Sequence, residues 1–110
     1  MNNVLLIGRL ARDAELLEVK NGERSALKFT LAVDKNYKKD GESKADFIPV
    51  VYFTDAAFKL IDYLTKGRLI SVSGRITVRC VERDGESKKY YTNIEANSIN
   101  FLDSKKSKAI

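Results

Sequence analysis

A single amphipathic helix, set in a chain that is otherwise patterned for β-structure, constrains the fold most strongly. The helix is predicted from Thr54 to Leu64, because Thr54 is a favourable N-cap and Lys66-Gly67 is a typical C-terminal end. Its apolar residues recur at i, i+3, i+4 and i+7, which predicts one buried stripe. These residues are Ala57, Leu60, Ile61 and Leu64. One short helix among strands predicts a mainly β fold.

The segments on either side predict five β-strands, with the helix between the third and the fourth. Alternation of apolar and polar residues is clearest in Ser25 to Asp34 and in Arg68 to Cys80. The other strands are predicted at Val4 to Leu10, with an extension over Ala14 to Val19, at Asp46 to Phe53, and at Tyr90 to Phe101. This order predicts an all-β fold with one helix, a small five-stranded barrel whose open face can hold a polymer.

Several residues within the strands predict local irregularities. Gly8 indicates a bulge or the close approach of another backbone, and Gly74 permits sharp coiling of its strand. Pro49 cannot donate to a ladder, so its strand is predicted to be an edge or to be bulged there. The apolar phase of the last strand switches near Asn97, which predicts a bulge. Cys80 falls on the apolar phase of its strand and is predicted to be packed.

The residue types that the chain lacks exclude several functions. The 110 residues include no histidine and one cysteine, so a Cys/His zinc site and a histidine-based triad cannot be built. No P-loop or dinucleotide fingerprint is present, and the carboxylates are scattered. We therefore expect a protein that is not an enzyme and that needs no cofactor or metal. The net charge of +5 is a weak indication of a polyanionic partner.

The chain is predicted to be one domain, residues 1–102, followed by a short flexible basic tail, residues 103–110. The first apolar run, Val4 to Ile7, is too short for a signal peptide or a membrane span. A lone cysteine fits a reducing compartment. These features predict a soluble cytoplasmic protein with no membrane partner.

Aromatic rings and cations coincide in three places, and this pattern is typical of a surface for unpaired nucleic acid. The predicted stacking residues are Tyr37, Phe47, Phe53, Tyr90 and Tyr91, and the predicted phosphate contacts include Arg9, Lys35, Lys38, Lys39, Arg75, Arg79, Lys88 and Lys89. Tyr37 lies in a polar loop with no core to join, whereas Phe53 is as often a core residue as a stacking one. Phe29 and Phe101 are predicted to be core residues.

The succession MNNVLLIGRLAR, KFTLAVDKNY, ADFIPVVYF, YLTKGRLISVSGRITVR and YYTNIEANSINFL resembles the bacterial single-stranded DNA-binding protein family over about residues 1–102. The resemblance implies a five-stranded OB-fold and a homotetramer that wraps single-stranded DNA without sequence preference. It implies stacking by Tyr37, Phe47 and Phe53. It also implies phosphate contacts at or beside Lys66, Arg75 and Arg79, and a dimer interface at residues 2–7.

The chain departs from the family pattern at Val81, at Asp55, which stands where lysine is common, at Pro49 and at its C-terminal end. Val81 stands where many relatives have an aromatic residue, and Tyr90 or Tyr91 is the available substitute. The chain ends in a Lys/Ser-rich segment instead of an acidic tip, which does not favour recruitment of repair enzymes by the family's usual route. A truncated chain and a phage or mobile-element origin both remain open, as do the site size and the choice between tetramer and dimer.

The predicted function is sequence-independent binding and protection of single-stranded DNA in replication, recombination or repair. Base stacking and phosphate neutralisation would supply the binding free energy. Two alternatives remain open on the sequence. One is an OB module that binds RNA or tRNA, and the other is a primosome-type structural protein whose aromatic strand is buried in a protein contact.

Overall fold

The computed structural model describes residues 1–18, 25–35 and 44–103. These residues contain six strands and one helix. The strands are β1 (Val4–Leu10), β2 (Glu15–Glu18), β3 (Ser25–Asp34), β4 (Ala45–Phe53), β5 (Leu69–Val81) and β6 (Lys89–Phe101), and the helix α1 (Ala57–Leu60) lies between β4 and β5.

The strands close into a barrel. They pair in the order β1-β5-β6-β4-β3-β2, and β1 also pairs with β3, which joins the two sides of the sheet. Of these pairs, only β4 and β6 are parallel. The predicted class, a mainly β barrel of five strands with one helix, is confirmed. The helix follows the fourth strand in this count because the predicted first strand is divided into β1 and β2.

The interior of the barrel is formed by one phase of each strand. In β3, Leu27, Phe29 and Leu31 are buried while Lys28 between them is exposed. Val50 of β4 and residues on β5 and β6 complete the same core. The alternation that the sequence shows is therefore the alternation between the inside and the outside of the barrel, and the predicted core positions of Phe29 and Phe101 are confirmed.

Two glycines are required by close approach of neighbouring backbone. A Cβ atom on Gly8 would collide with the carbonyl oxygen of Ala32, and one on Gly74 would collide with the carbonyl oxygen of Glu95. At Gly74 the β5–β6 register shifts, since Ser73 faces Ser98 while Gly74 faces Ala96. Asn97 is thus the extra residue of a β-bulge, as its sequence predicts.

Pro49 lies just before the part of β4 that pairs with β6. It faces Thr30 of β3 in register, but the pairing of β4 with β6 covers only Val50 to Tyr52. The proline thus precedes the first rung of the β4–β6 ladder, which agrees with its prediction as an edge position.

The helix is shorter than its sequence predicts. α1 begins after an N-cap at Ala56 rather than at Thr54, whose hydroxyl instead accepts a hydrogen bond from the Ala56 N–H at 3.1 Å. Thr54 is itself still tied to β3 through its N–H and the Ser25 carbonyl. At the other end the chain must return to the barrel, where the Gly67 N–H donates to the Leu10 carbonyl at 2.8 Å. Between these two attachments the chain continues past Leu60 as turns, in which the Leu64 N–H donates to the Leu60 carbonyl at 3.1 Å.

The residues of the predicted apolar stripe still face the core, although the helix is shorter than predicted. Ala57 and Leu64 are fully buried, and Leu60 and Ile61 pack against the core with part of their surface exposed. Burial of the stripe thus does not require a continuous helix, because the turns after Leu60 keep the same side facing inward.

Cys80 is exposed, contrary to its prediction as a packed residue. It belongs to the same phase as the buried Val72, but β5 continues past the end of the barrel. Ile76 and Val78 on this phase are 44% and 60% exposed. Residues 76–93, which we call the arm, therefore form a two-stranded ribbon with a turn at Asp84-Gly85, where Gly85 has φ +77°.

Asn2 continues the β1–β5 ladder at the base of the arm. Its side-chain amide donates to the Ile76 carbonyl at 2.9 Å and accepts from the Ile76 N–H at 2.9 Å. Because the ladder proper begins at Val4 and Gly74, this amide takes the place of the next backbone rung.

Asp103 is held against the barrel, although it was assigned to the tail. The buried guanidinium of Arg68 donates to its carboxylate at 2.7 Å and lies 4.4 Å from the centre of the Phe101 ring. Partial desolvation of Asp103 opposes ionisation, but the Leu69 N–H and Arg68 outweigh it and lower the pKa of this carboxyl below its ordinary 3.8. Residues 104–110 lie outside the described residues, and among those described no helix could span a membrane.

Candidate nucleic-acid interface

A groove of about 430 Å³ lies on the outer face of the barrel, between the sheet and the arm. It runs over the outward phases of β3, β4 and β6 and is closed on one side by β5 of the arm. Its lining residues are Leu17, Lys28, Val51, Phe53, Thr77, Val78, Arg79, Asn93, Ile94 and Glu95. A long concave surface of this kind can hold an extended chain.

The outward phase of β4 contributes two aromatic rings to this face. Phe53 is half-buried and lines the groove, while Phe47 is 66% exposed and follows the same phase toward the start of the strand. Six strand residues separate them, which corresponds to about 20 Å. Phe47 has little contact with the core, so packing does not explain its ring. Both phenylalanines that were predicted to stack therefore share one face.

The arm carries its two adjacent tyrosines on opposite faces. Tyr91 pairs with Arg79 in the β5–β6 register, and Arg79 lines the groove. Tyr90 pairs with Cys80, on the opposite face of the ribbon from Arg79 and Tyr91, and does not line the groove. The arm therefore brings together one ring and one cation, Tyr91 and Arg79, on the groove side.

Among residues 1–18, 25–35 and 44–103, two cations line the groove. They are Arg79, which was predicted, and Lys28, which was not. Lys28 is directly opposite Val51 on the neighbouring strand and is exposed. The exposed phase of Ser25 to Asp34 contains Lys28, but the aromatic residue next to it in the sequence, Phe29, is in the core and offers no stacking surface.

Two predicted phosphate contacts are paired with carboxylates. Arg75 donates to Glu95 at 2.9 Å, and the Lys35 ammonium lies 2.6 Å from Asp46. Both pairs are partly exposed, so they are weak and open to competition from a phosphate group. Lys35 also fixes the end of β3, because its N–H donates to the Lys44 carbonyl at 2.8 Å.

Four further predicted cations whose positions are described do not line the groove. Arg9 donates to the Gly67 carbonyl at 2.9 Å and lines a separate cavity with Ala32 and Leu69. Lys66 is exposed beyond α1, where its backbone N–H is bound by Asp13 at 2.8 Å. Lys88 and Lys89 are exposed at the end of the arm. The predicted residues Tyr37, Lys38 and Lys39 lie outside the described residues.

The model of the Single-strand binding protein family matches residues 1–102. The chain belongs to this family. The match spans every described strand and α1, so the groove and the arm are both parts of the matched domain.

Curated relatives of the family are similar over nearly the whole chain. "Single-stranded DNA-binding protein 2" of Clostridium acetobutylicum is 41% identical over 103 residues, which is 94% of this chain and 77% of the relative. The "Single-stranded DNA-binding protein" of Staphylococcus aureus is 40% identical over 108 residues, 97% of this chain and 69% of the relative.

A solved structure from the family agrees with the fold. It is described as a Plasmodium falciparum SSB complex with ssDNA, and it superposes with a TM-score of 0.78 at 27% sequence identity. The superposition covers 94% of this chain and 96% of that chain. The OB-fold expected for a single-strand binding protein is therefore confirmed.

The arm places Val81, where the family resemblance predicts an aromatic residue, beside one of the two adjacent tyrosines. Val81, Lys89 and Tyr91 line one small cavity of about 70 Å³ near the end of the arm. Tyr91, rather than Tyr90, thus shares a face with Val81. Of the two tyrosines that the sequence leaves open as substitutes, the geometry favours Tyr91.

Proposed function

We propose that this chain binds single-stranded DNA with little sequence preference and protects it from re-pairing and degradation. The observation that carries the proposal is that Phe53 and Arg79 line one open groove, while Phe47 follows the phase of Phe53 on β4 and Tyr91 pairs with Arg79 on the arm. Membership of the single-strand binding protein family and the likeness to a chain solved with ssDNA support it.

Binding is divided between rings and cations. Each base that stacks on Phe47 or Phe53 contributes about 1–3 kcal/mol, and every base has a flat face, so stacking tolerates any sequence. Arg79 and Lys28 attract the phosphates from the two walls of the groove. Lys88 and Lys89 extend the positive charge along the arm. The groove therefore neutralises the backbone while the rings hold the bases.

We also propose that the chain acts as a homo-oligomer, most simply a homotetramer. Leu5 and Ile7 point outward from β1 and are 72% and 55% exposed. Among the described residues β1 pairs with β3 only at Arg9 and Leu10, so most of one edge of β1 is open. An open edge with exposed apolar side chains supports pairing with a second copy. The process served would be replication, recombination or repair in the cytoplasm.

The alternative, that this face binds another protein instead of DNA, is less well supported. Arg79 and Lys28 in the groove would be left without anionic partners if apolar protein surface covered them. An RNA-binding module would need contacts to 2′-hydroxyl groups, and nothing in the groove favours these over the deoxyribose strand.

The test is titration with labelled oligo(dT) of increasing length, followed by anisotropy and by quenching of tyrosine emission. The proposal predicts binding that weakens steeply with salt, by about 0.7 in log K per log salt unit for each phosphate neutralised. Light scattering of the same samples gives the number of subunits. Tighter binding to oligo(rU) than to oligo(dU) of the same length, or an affinity independent of salt, would contradict the proposal.

A further inference from the structure

A carboxylate lies inside the groove proposed for the polyanion. Glu95 projects from the outward phase of β6 and lines the groove with Phe53 and Arg79. Its side chain is 33% exposed, so it faces both the groove and solvent. A negative charge at this place repels phosphate, so its presence calls for a compensating role.

Arg75 fixes and neutralises this carboxylate. One Glu95 oxygen, Oε1, accepts a hydrogen bond from the Arg75 guanidinium at 2.9 Å. Among the described residues this is the one side chain that hydrogen bonds to Glu95. A carboxylate accepts about four hydrogen bonds, so acceptor capacity remains on the groove side after Arg75 has bound.

The strand register places Glu95 beside the floor of the groove. Val51 is its partner on β4, and Arg75 is its partner on β5. Lys28 lies on the far side of Val51. Four side chains therefore lie in one row across β3, β4, β6 and β5. In this order they are a cation (Lys28), an apolar group (Val51), an anion (Glu95) and a cation (Arg75). A base resting on the apolar floor would meet the carboxylate at its edge while Lys28 attracts a phosphate.

The four bases differ in what they present to a carboxylate. Cytosine has the N4 amino group and adenine the N6 amino group, both donors, whereas thymine has the O4 oxygen at the corresponding place. Glutamate is a known acceptor for the cytosine N4 amino group. At this edge of the base, a carboxylate therefore attracts the amino groups of cytosine and adenine and is repelled by thymine O4 and guanine O6.

We propose that Glu95, positioned by Arg75, makes the groove discriminate by base composition, with cytosine favoured over thymine at the position next to Val51. The inference rests on the proposed binding of single-stranded DNA and adds a preference to it. Binding remains tolerant of sequence, because stacking supplies most of the affinity and one carboxylate affects one base position.

The test compares oligo(dC) and oligo(dT) of equal length at pH 8 with the wild-type chain, Glu95→Gln and Glu82→Gln. Glu95→Gln should lower the dC:dT affinity ratio by about 3- to 10-fold, since glutamine offers an amide donor to thymine O4 and a weaker acceptor to cytosine. Glu82→Gln removes the same charge from an exposed part of the arm. It should raise both affinities alike and leave the ratio unchanged.

A second measurement keeps the wild-type protein and changes the DNA. Replacing cytosine by N4,N4-dimethylcytosine removes both amino donors, so the preference should fall by a similar factor. An unchanged ratio in Glu95→Gln, or no effect of dimethylation, would overturn the role of Glu95 while leaving DNA binding intact. Failure of both oligonucleotides to bind the wild-type chain would instead overturn the proposed function.

Discussion

Truncating Phe47 to alanine separates stacking from packing. Because the side chain is 66% exposed, its removal gives up about a third of a buried phenylalanine, or about 0.5–1 kcal/mol of unfolding free energy. If one base stacks on the ring, binding should lose about 1–3 kcal/mol. That loss corresponds to an increase in Kd of about 5- to 150-fold. The variant should therefore fold nearly as well as the wild type and bind far less tightly.

The chain supplies a matched control in Phe58. This residue lies on α1, is 60% exposed, and does not line the groove. Phe58→Ala removes the same ring at nearly the same exposure, so its effect on stability should be similar and its effect on Kd small. Anisotropy titrations with labelled oligo(dT) and thermal melts of both variants make the comparison. Equal losses of affinity in the two variants would refute stacking by Phe47.

Two further predictions concern the barrel itself. Gly8→Ala should lower the free energy of unfolding by about 1–3 kcal/mol in denaturant titrations, because the new Cβ meets the Ala32 carbonyl. The control, Ser71→Ala on the facing strand, should lower the free energy of unfolding by less. Equal losses in the two variants would contradict the close approach at Gly8. The lowered pKa of Asp103 means that its stabilisation is complete above the ordinary 3.8 and is lost as pH falls through the folded-state pKa. The stability difference between wild type and Asp103→Asn should thus be constant from pH 8 to 5 and vanish in stronger acid, and a difference that persists there would count against it.

Local patterns predicted the barrel well because each strand buries one of its two faces, so apolar and polar residues alternate along it. The alternation of Ser25 to Asp34, the glycine at position 8 and the bulge at Asn97 each reflect a constraint that is visible within a few residues. The same holds for the apolar stripe after Thr54, whose members all reach the core.

What the sequence could not predict depends on where the barrel ends. Cys80 has the phase of a buried residue, but no interior remains at that height of β5. The shortening of α1 to Ala57–Leu60 is likewise not visible in the apolar pattern, which continues to Leu64. These outcomes need the three-dimensional closure of the sheet and are not written in a local pattern.

The roles of the candidate site residues remain predictions, and their arrangement could not be predicted from the sequence. Phe53 and Arg79 share the groove, as the clustering of rings and cations suggested. Arg75 binds Glu95 on the neighbouring strand. Pairing between the same two strands places Tyr91, and not Tyr90, opposite Arg79. Both depend on the register of the β5–β6 hairpin, which a linear reading of charge does not contain.

The most direct test of the central claim is photocrosslinking of an oligo(dT) that contains 5-iodo-deoxyuridine, with the attached peptides located by mass spectrometry. The account predicts crosslinks at Phe47, Phe53 and Tyr91, on the face that carries the groove. Crosslinks confined to the β1 face around Leu5 and Ile7, or to Phe58 and Tyr63 beside α1, would place the DNA elsewhere and contradict it.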